Sequence, residues 1–268
     1  MHPIERLRYV ARASGAEQGL LVHETAGALA SLGFDPAGLV TACRRIVDRH
    51  VTSGPLWWLC ARVLTAGDPM AEAWRCADEI GEDSTGDELA HALPEDATVC
   101  LLGWPELAGE ALVRRGDCYG LVVDTLGEGS GLVRRLRRAD AVAEEVPPSG
   151  LGAAAAAADV VLLEATAFGS DGFVSIAGAR AAAAVAHHAG VPVWLIGGVG
   201  RVLAAPMWRA LVKRFDDECG DPWLEEDEVV PLALVDRLCG PKGPEPVADG
   251  LRHADTPVAP ELFRTTAF

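Results

Sequence analysis

Residues 159–200, DVVLLEATAFGSDGFVSIAGARAAAAVAHHAGVPVWLIGGVG, constrain the fold more than any other part of this chain. Val160 to Leu163 is an apolar run opened by two valines, the pattern of a strand buried on both faces. A polar loop follows and ends in Asp171-Gly172, a pair that favours a tight turn. An alanine-rich helical stretch then reaches Ala189, stops at Gly190 and leads into a second buried run, Val193 to Ile196. The order is strand, loop, helix and parallel strand. Ligands of such folds bind at the loops leaving the strand C-termini, here Glu164–Ser170 and Gly197–Gly200.

The rest of the chain extends this reading in two parts. Residues 4–92 carry helical spacing: Ile4, Leu7 and Val10; then Leu20, Leu21, Glu24, Ala28 and Leu32 before a stop at Gly33. Asp35-Pro36 marks a further start, with the aspartate as N-cap and proline in the first turn. Another helix is expected from Pro55 to Thr65, and one from Pro69 toward Leu93 with a break around Gly81–Gly86. After Pro94 come short apolar runs at Thr98–Leu102, Gly120–Asp124, Ala139–Ala143, Val160–Leu163 and Val193–Ile196, spaced for intervening helices. That alternation predicts a parallel α/β sheet with right-handed crossovers. The expected organisation is an N-terminal helical domain, 1–93, and a Rossmann-like α/β domain, 94–268. The acidic, then proline-rich, segment from Glu225 onward is expected to wrap the surface of the sheet domain.

With 268 residues, half of them hydrophobic, the chain has ample material for a core, yet no uninterrupted apolar run approaches the roughly 20 residues of a membrane span. The first eight residues hold charges throughout and no apolar signal region, which points to a cytoplasmic protein. Seven cysteines at 43, 60, 76, 100, 118, 219 and 239 form no CxxC pair, as suits reduced thiols rather than a disulfide frame or zinc site. A formal charge of −16 argues against nucleic acid as the main ligand. The one basic cluster, Arg134-Arg135 with Arg137-Arg138, reads as a solvated helix face.

Several stretches carry a family resemblance. Glu164-Ala165-Thr166-Ala167-Phe168, then Asp171-Gly172, then Ser175-Ile176-Ala177-Gly178-Ala179 repeat the frame of a strand ending, a turn and a helix start. Thr52-Ser53-Gly54-Pro55-Leu56-Trp57-Trp58 lies earlier, and Val230-Pro231-Leu232, Val235-Asp236 and Thr256-Pro257-Val258-Ala259-Pro260-Glu261-Leu262 lie near the end. In order and spacing these resemble the initiation factor 2B alpha/beta/delta family, which includes the methylthioribose-1-phosphate and ribose-1,5-bisphosphate isomerases. The resemblance implies association through the sheet domain into a homodimer and a closing segment near the active cleft. It would also allow the protein to be called a translation initiation factor subunit by homology, although no residue here shows a role in translation.

The frame fits the isomerases, whereas the chemistry differs. Their catalytic cysteine loop corresponds to Gly103-Trp104-Pro105-Glu106, which offers no cysteine, serine or threonine, and Cys100 sits inside a strand, where a buried thiol is the ordinary case. Their acidic partner falls on Thr166, a residue with no pKa suited to general acid work. Glu164, two positions earlier on the same side of the strand, is the one catalytic candidate, against the plainer role of capping a neighbouring helix or turn. The arginine that would hold a substrate phosphate falls on Leu126. In exchange, Gly127-Glu128-Gly129-Ser130-Gly131 stands between a strand and a helix, where backbone N–H groups of Gly127, Gly129, Ser130 and Gly131 can cradle an anion, provided Glu128 faces solvent. His50, Thr52 and Ser53 stand where the isomerases touch phosphate, and also where a helix needs a cap. Thr166, Asp171 and Gly172 complete the ligand-binding set. Trp57-Trp58 suits core packing. Gly197-Gly198-Val199-Gly200 lacks the full dinucleotide fingerprint, and His187-His188 point to different sides of a helix, so neither a nicotinamide cofactor nor a metal is expected.

Three functions remain on these grounds. The first is a divergent, non-catalytic member of the family that binds a phosphorylated small molecule, a sugar phosphate or nucleotide, in the cleft between the domains. The second is an active aldose–ketose isomerase with a rebuilt site using Glu164. The third is a structural or regulatory partner subunit whose cleft is closed by side chains such as Trp104 and Phe168.

Overall fold

The computed structural model describes residues 18–31 and 35–264. The helical spacing of Ile4, Leu7 and Val10 lies outside the described residues, as do Leu32 and Gly33. Among the described residues, five helices precede the first strand: α1 (Gln18–Ala30), α2 (Pro36–Arg49), α3 (Gly54–Thr65), α4 (Pro69–Gly81) and α5 (Thr85–Ala92). Local chemistry starts them. Asp35 accepts the Ala37 amide at 3.1 Å and Asp68 the Ala71 amide at 3.1 Å, each with proline in the first turn. The break expected around Gly81–Gly86 falls at Asp83, whose Oδ1 accepts the Thr85 amide at 2.9 Å and hydroxyl at 2.6 Å. Its Oδ2 accepts the Val199 amide at 2.8 Å, which ties the helix junction to the loop after a sheet strand. Helix α3 is apolar on nearly every side and is buried accordingly, Trp57 and Trp58 included.

From Thr98 the chain alternates: β1 (Thr98–Leu102), α6 (Glu106–Arg115), β2 (Tyr119–Val123), α7 (Gly129–Arg138), β3 (Val142–Val146), α8 (Leu151–Ala157) and β4 (Val160–Glu164). There follow β5 (Ala167–Phe168), β6 (Gly172–Ile176), α9 (Ala179–Ala189), β7 (Val193–Ile196), α10 (Ala205–Glu218), β8 (Asp227–Pro231), β9 (Arg237–Gly240) and β10 (Gly243–Glu245). The main sheet runs β10-β9-β7-β4-β1-β2-β3, parallel except for the β9–β10 pair. The crossover anticipated in residues 159–200 is present, with Val161 beside Val193 and Glu164 beside Ile196. Gly190 ends α9 with φ 75°, a left-handed turn that glycine takes without a Cβ penalty. No helix among the described residues is long and apolar enough to cross a membrane.

Three expectations need correction. The third strand is Val142–Val146 rather than Ala139–Ala143, because Ala139 caps α7 and Asp140 turns the chain at φ 61°. As the last strand of the sheet it exposes Glu144 and Glu145, so its apolar signal is diluted. The loop after β4 is itself structured: β5, β6 and β8 form a separate antiparallel sheet. The segment from Glu225 onward is no surface wrap, since it supplies β8 to that small sheet and β9 and β10 to the main one.

Two layers of core flank the main sheet, and a third gathers around α3. The third draws in Met207, Trp208 and Leu211 of α10, Ala167 and Val174 of the small sheet, and Leu262 near the end of the chain. The helices before β1 thus share their interior with elements far along the sequence. Arg214 is buried in this layer, 4.8 Å from the Trp57 ring and 3.2 Å from Asp48.

Candidate functional site

The C-terminal ends of β1 and β4 and the loop after β2 open into a cleft of about 800 Å³. Leu102, Trp104, Pro105 and Glu106 form one wall, Leu126 and Glu128 another, and Leu162, Leu163 and Glu164 the floor. Ser175 and Ile176 enter from the small sheet, Gln18 and Thr52 from the helical side. The position at the strand C-termini is the one the crossover implies.

Glu164 is fully engaged. Its Oε2 accepts the backbone amides of Leu107 at 2.9 Å and Ala108 at 3.2 Å, the first turn of α6. Its Oε1 pairs with the Arg201 guanidinium at 2.8 Å, and the same guanidinium nitrogen donates to the Ala165 carbonyl at 2.8 Å. A carboxylate at a helix N-terminus, paired with a buried arginine, fastens strand to helix. Thr166, next to it, donates its amide to the Val174 carbonyl at 2.9 Å and accepts the Gly54 amide at 3.0 Å, so it joins α3 to the small sheet. Cys100 is buried in β1, and burial pushes its thiol up to about 12, far from a nucleophile's range.

The remaining sequence candidates separate into distinct places. Thr52 lines the cleft, and its side chain hydrogen-bonds the Asp227 carboxylate. Ser53 is buried at the start of α3, its hydroxyl donating to Gln18 Oε1 at 2.7 Å. His50 ends α2 outside the cleft lining, and burial together with neighbouring Arg49 lowers its pKa, so it supplies no positive charge at neutral pH. Gly127, Gly129, Ser130 and Gly131 stand where α7 begins, but two of their amides are taken: Asp124 Oδ1 accepts from Gly129 at 2.9 Å and the Glu128 carbonyl from Gly131 at 2.9 Å. The Ser130 hydroxyl accepts from Arg134 at 3.3 Å. Glu128 lines the cleft, where its carboxylate opposes an anion. Asp171 and Gly172 lie in a separate groove, with Asp171 Oδ1 accepting the Trp208 indole N–H at 2.6 Å. Phe168 is buried in the core, and Trp104 is half-exposed at the cleft wall, so neither closes the cleft.

Sequence reasoning weighed Glu164 and Glu128 but passed over Glu110, Glu226, Asp227 and Arg201, which also set the cleft's electrostatics. Six carboxylates line it, those of Glu106, Glu110, Glu128, Glu164, Glu226 and Asp227, against two arginines, Arg135 and Arg201. Arg201 is committed to Glu164, and Arg135 stands 4.0 Å from Glu110. Burial raises the Asp227 pKa, assisted by Glu226 and Glu225 and opposed by the Thr52 hydrogen bond. Arg201 had a signal, its place directly after the glycine-rich turn that follows β7. Asp227 had none, because only the pairing of β8 with β6 brings it to the cleft.

No family model and no curated protein matches the chain. Solved structures do match. The translation initiation factor eIF-2B of Pyrococcus horikoshii OT3 superposes with a TM-score of 0.75 at 15% identity, over 93% of this chain and 98% of that one. eIF2B beta of Chaetomium thermophilum gives 0.73 at 16% identity, over 97% and 92%. A chain of the tetrameric eIF2B-beta2-delta2 complex of C. thermophilum gives 0.73 at 17% identity, over 93% and 91%. The chain has the fold of these initiation factor subunits.

Proposed function

We propose that this chain, which has the initiation factor 2B fold, is a divergent and non-catalytic member of that family. The observation that carries the reading is the engagement of Glu164. The one carboxylate placed to replace the missing isomerase acid is held by two α6 amides and by Arg201. Pro105 and Thr166 occupy the two positions that the isomerase resemblance makes catalytic: Pro105 offers no nucleophile, and Thr166 has no pKa suited to the acid's part. Among its fold neighbours, one is a chain of a beta2-delta2 complex, and we extend association of that kind to this chain as a homodimer. The expected result is no turnover of ribose-1,5-bisphosphate or methylthioribose-1-phosphate. Measurable turnover that disappears in Glu164→Gln would overturn the reading and restore a rebuilt isomerase.

A second reading, a phosphorylated small molecule bound in the cleft, is favoured by the open volume of about 800 Å³, which lies in the range of small-molecule sites. The start of α7 and Arg135 at the wall favour a phosphate, and the six carboxylates oppose it. A bound phosphate would therefore sit at the α7 end, away from Glu226 and Asp227. Thermal shift separates the cases. A ligand at a hundredfold over its Kd stabilises by about 2.7 kcal/mol. A shift with a nucleoside monophosphate or ribose-1,5-bisphosphate, absent with ribose, supports a phosphate site; no shift at millimolar ligand removes it.

A further inference from the structure

Between α10 and the small sheet runs a second groove of about 510 Å³, unconnected with the chemistry considered above. Its floor is apolar, made of Trp208, Val212, Val229, Val230 and Pro231. Its rim is cationic. Arg209 and Lys213 stand four residues apart on one face of α10, and Arg180 faces them from α9. Lys213 is one of only two lysines in a chain of formal charge −16, so this rim stands out against the prevailing charge. Of the two groove carboxylates, Asp171 is bound to the Trp208 indole and Asp216 lies in the last turn of α10.

Directly after α10, the loop from Cys219 to Glu226 carries the two most exposed large apolar side chains among the described residues, Trp223 at 78% and Leu224 at 74%. The loop is braced from within: Leu224 N donates to the Asp221 carbonyl at 2.8 Å, and Gly220 N to Glu225 Oε1 at 2.7 Å. A shaped loop that holds a tryptophan and a leucine out in water has an ordering cost already met, as binding knuckles do. Its flanks are wholly acidic. From residue 216 to 226 the chain has Asp216, Asp217, Glu218, Asp221, Glu225 and Glu226 and no lysine or arginine.

We propose that the Trp223-Leu224 knuckle of one copy docks in the α10–small-sheet groove of a second copy. Apolar tip meets apolar floor, and acidic flanks meet the Arg180, Arg209 and Lys213 rim. The complementarity is of apolar character and of charge at once, and a tryptophan with cationic partners is the composition of an interface hot spot. Knuckle and groove share the end of α10, so a two-fold axis can place both knuckles in both grooves and close the assembly as a dimer. The proposal names the surface for the homodimer proposed above, and does not depend on whether the cleft is catalytic or liganded.

The test is the mass of the full chain in solution by light scattering at micromolar concentration, with three variants. The first is Trp223→Asp with Leu224→Ser, exposed positions where the fold has nothing to lose. The second reverses the rim, Arg209→Glu with Lys213→Glu. The third reverses the knuckle's charge, Asp217→Lys with Asp221→Lys. The expected result is a dimer for the unaltered chain and monomers for each variant alone. An equimolar mixture of the second and third variants should recover the dimer, since each then offers the other an opposite charge at both contacts. A monomer for the unaltered chain overturns the docking and the dimer together. A dimer that persists in all three variants overturns this surface while leaving the dimer standing.

Discussion

Glu164 shows how one side chain can be assigned two roles by sequence and given one by its surroundings. Its carboxylate is only 11% exposed, and the Arg201 side chain beside it 6%, so removing the acid strands a buried guanidinium. Breaking a buried pair by deleting one partner costs about 3 kcal/mol, because the remaining charge loses its compensation. Glu164→Ala is therefore expected to lower the free energy of unfolding by that amount, read as a lower urea midpoint at an unchanged m-value, and Glu164→Ala with Arg201→Ala to cost less than the sum of the two single changes. Additive effects would mean that the two groups do not act as a pair. The sequence held half of this answer, since the role of capping a neighbouring helix was one of the two assigned to Glu164. Arg201 was marked only by its place after the glycine-rich turn, and its pairing with Glu164, thirty-seven residues away, follows from the β4–β7 pairing.

At the scale of elements, the seam between α3 and the small sheet rests on a close backbone approach at Gly54. Gly54 donates to the Thr166 carbonyl at 3.0 Å, and a Cβ on Gly54 would stand 2.8 Å from that oxygen and 3.0 Å from the Ala167 methyl. Neither neighbour is a flexible side-chain end, so relief requires the helix and the strand to move apart. Gly54→Ala is expected to cost about 1–3 kcal/mol, the range of overpacking in a tight interior, seen as a lower midpoint in chemical unfolding. An unchanged midpoint would show that the seam yields freely. The helices were legible from periodicity and from Asp-Pro starts, because those signals are local. The strands β5, β8, β9 and β10 were not: they are short, three of them carry charge or proline, and β8 and β9 pair with strands far off in sequence.

Over the whole molecule, the last forty residues complete the structure instead of covering it. Without β8 the small sheet loses an outer strand, and without β9 the β7 strand becomes a bare edge. Leu262 would leave the core around α3, and Arg214 would lose the Leu262 carbonyl it bonds at 3.0 Å. A chain ended after Glu225 is thus expected to appear in the insoluble fraction on expression, since an unpaired apolar edge templates aggregation. Soluble material with a native-like circular dichroism spectrum would contradict this account. What the sequence by itself determined was the alternating α/β architecture, the helical start and the strand-end location of the cleft, all of which follow from periodicity and punctuation within short windows. The tertiary structure alone decided the electrostatics of that cleft and the fate of the C-terminal segment. Charge in a cleft is a sum over residues from distant elements, and a short strand is made one by its neighbours in the sheet rather than by its own propensity.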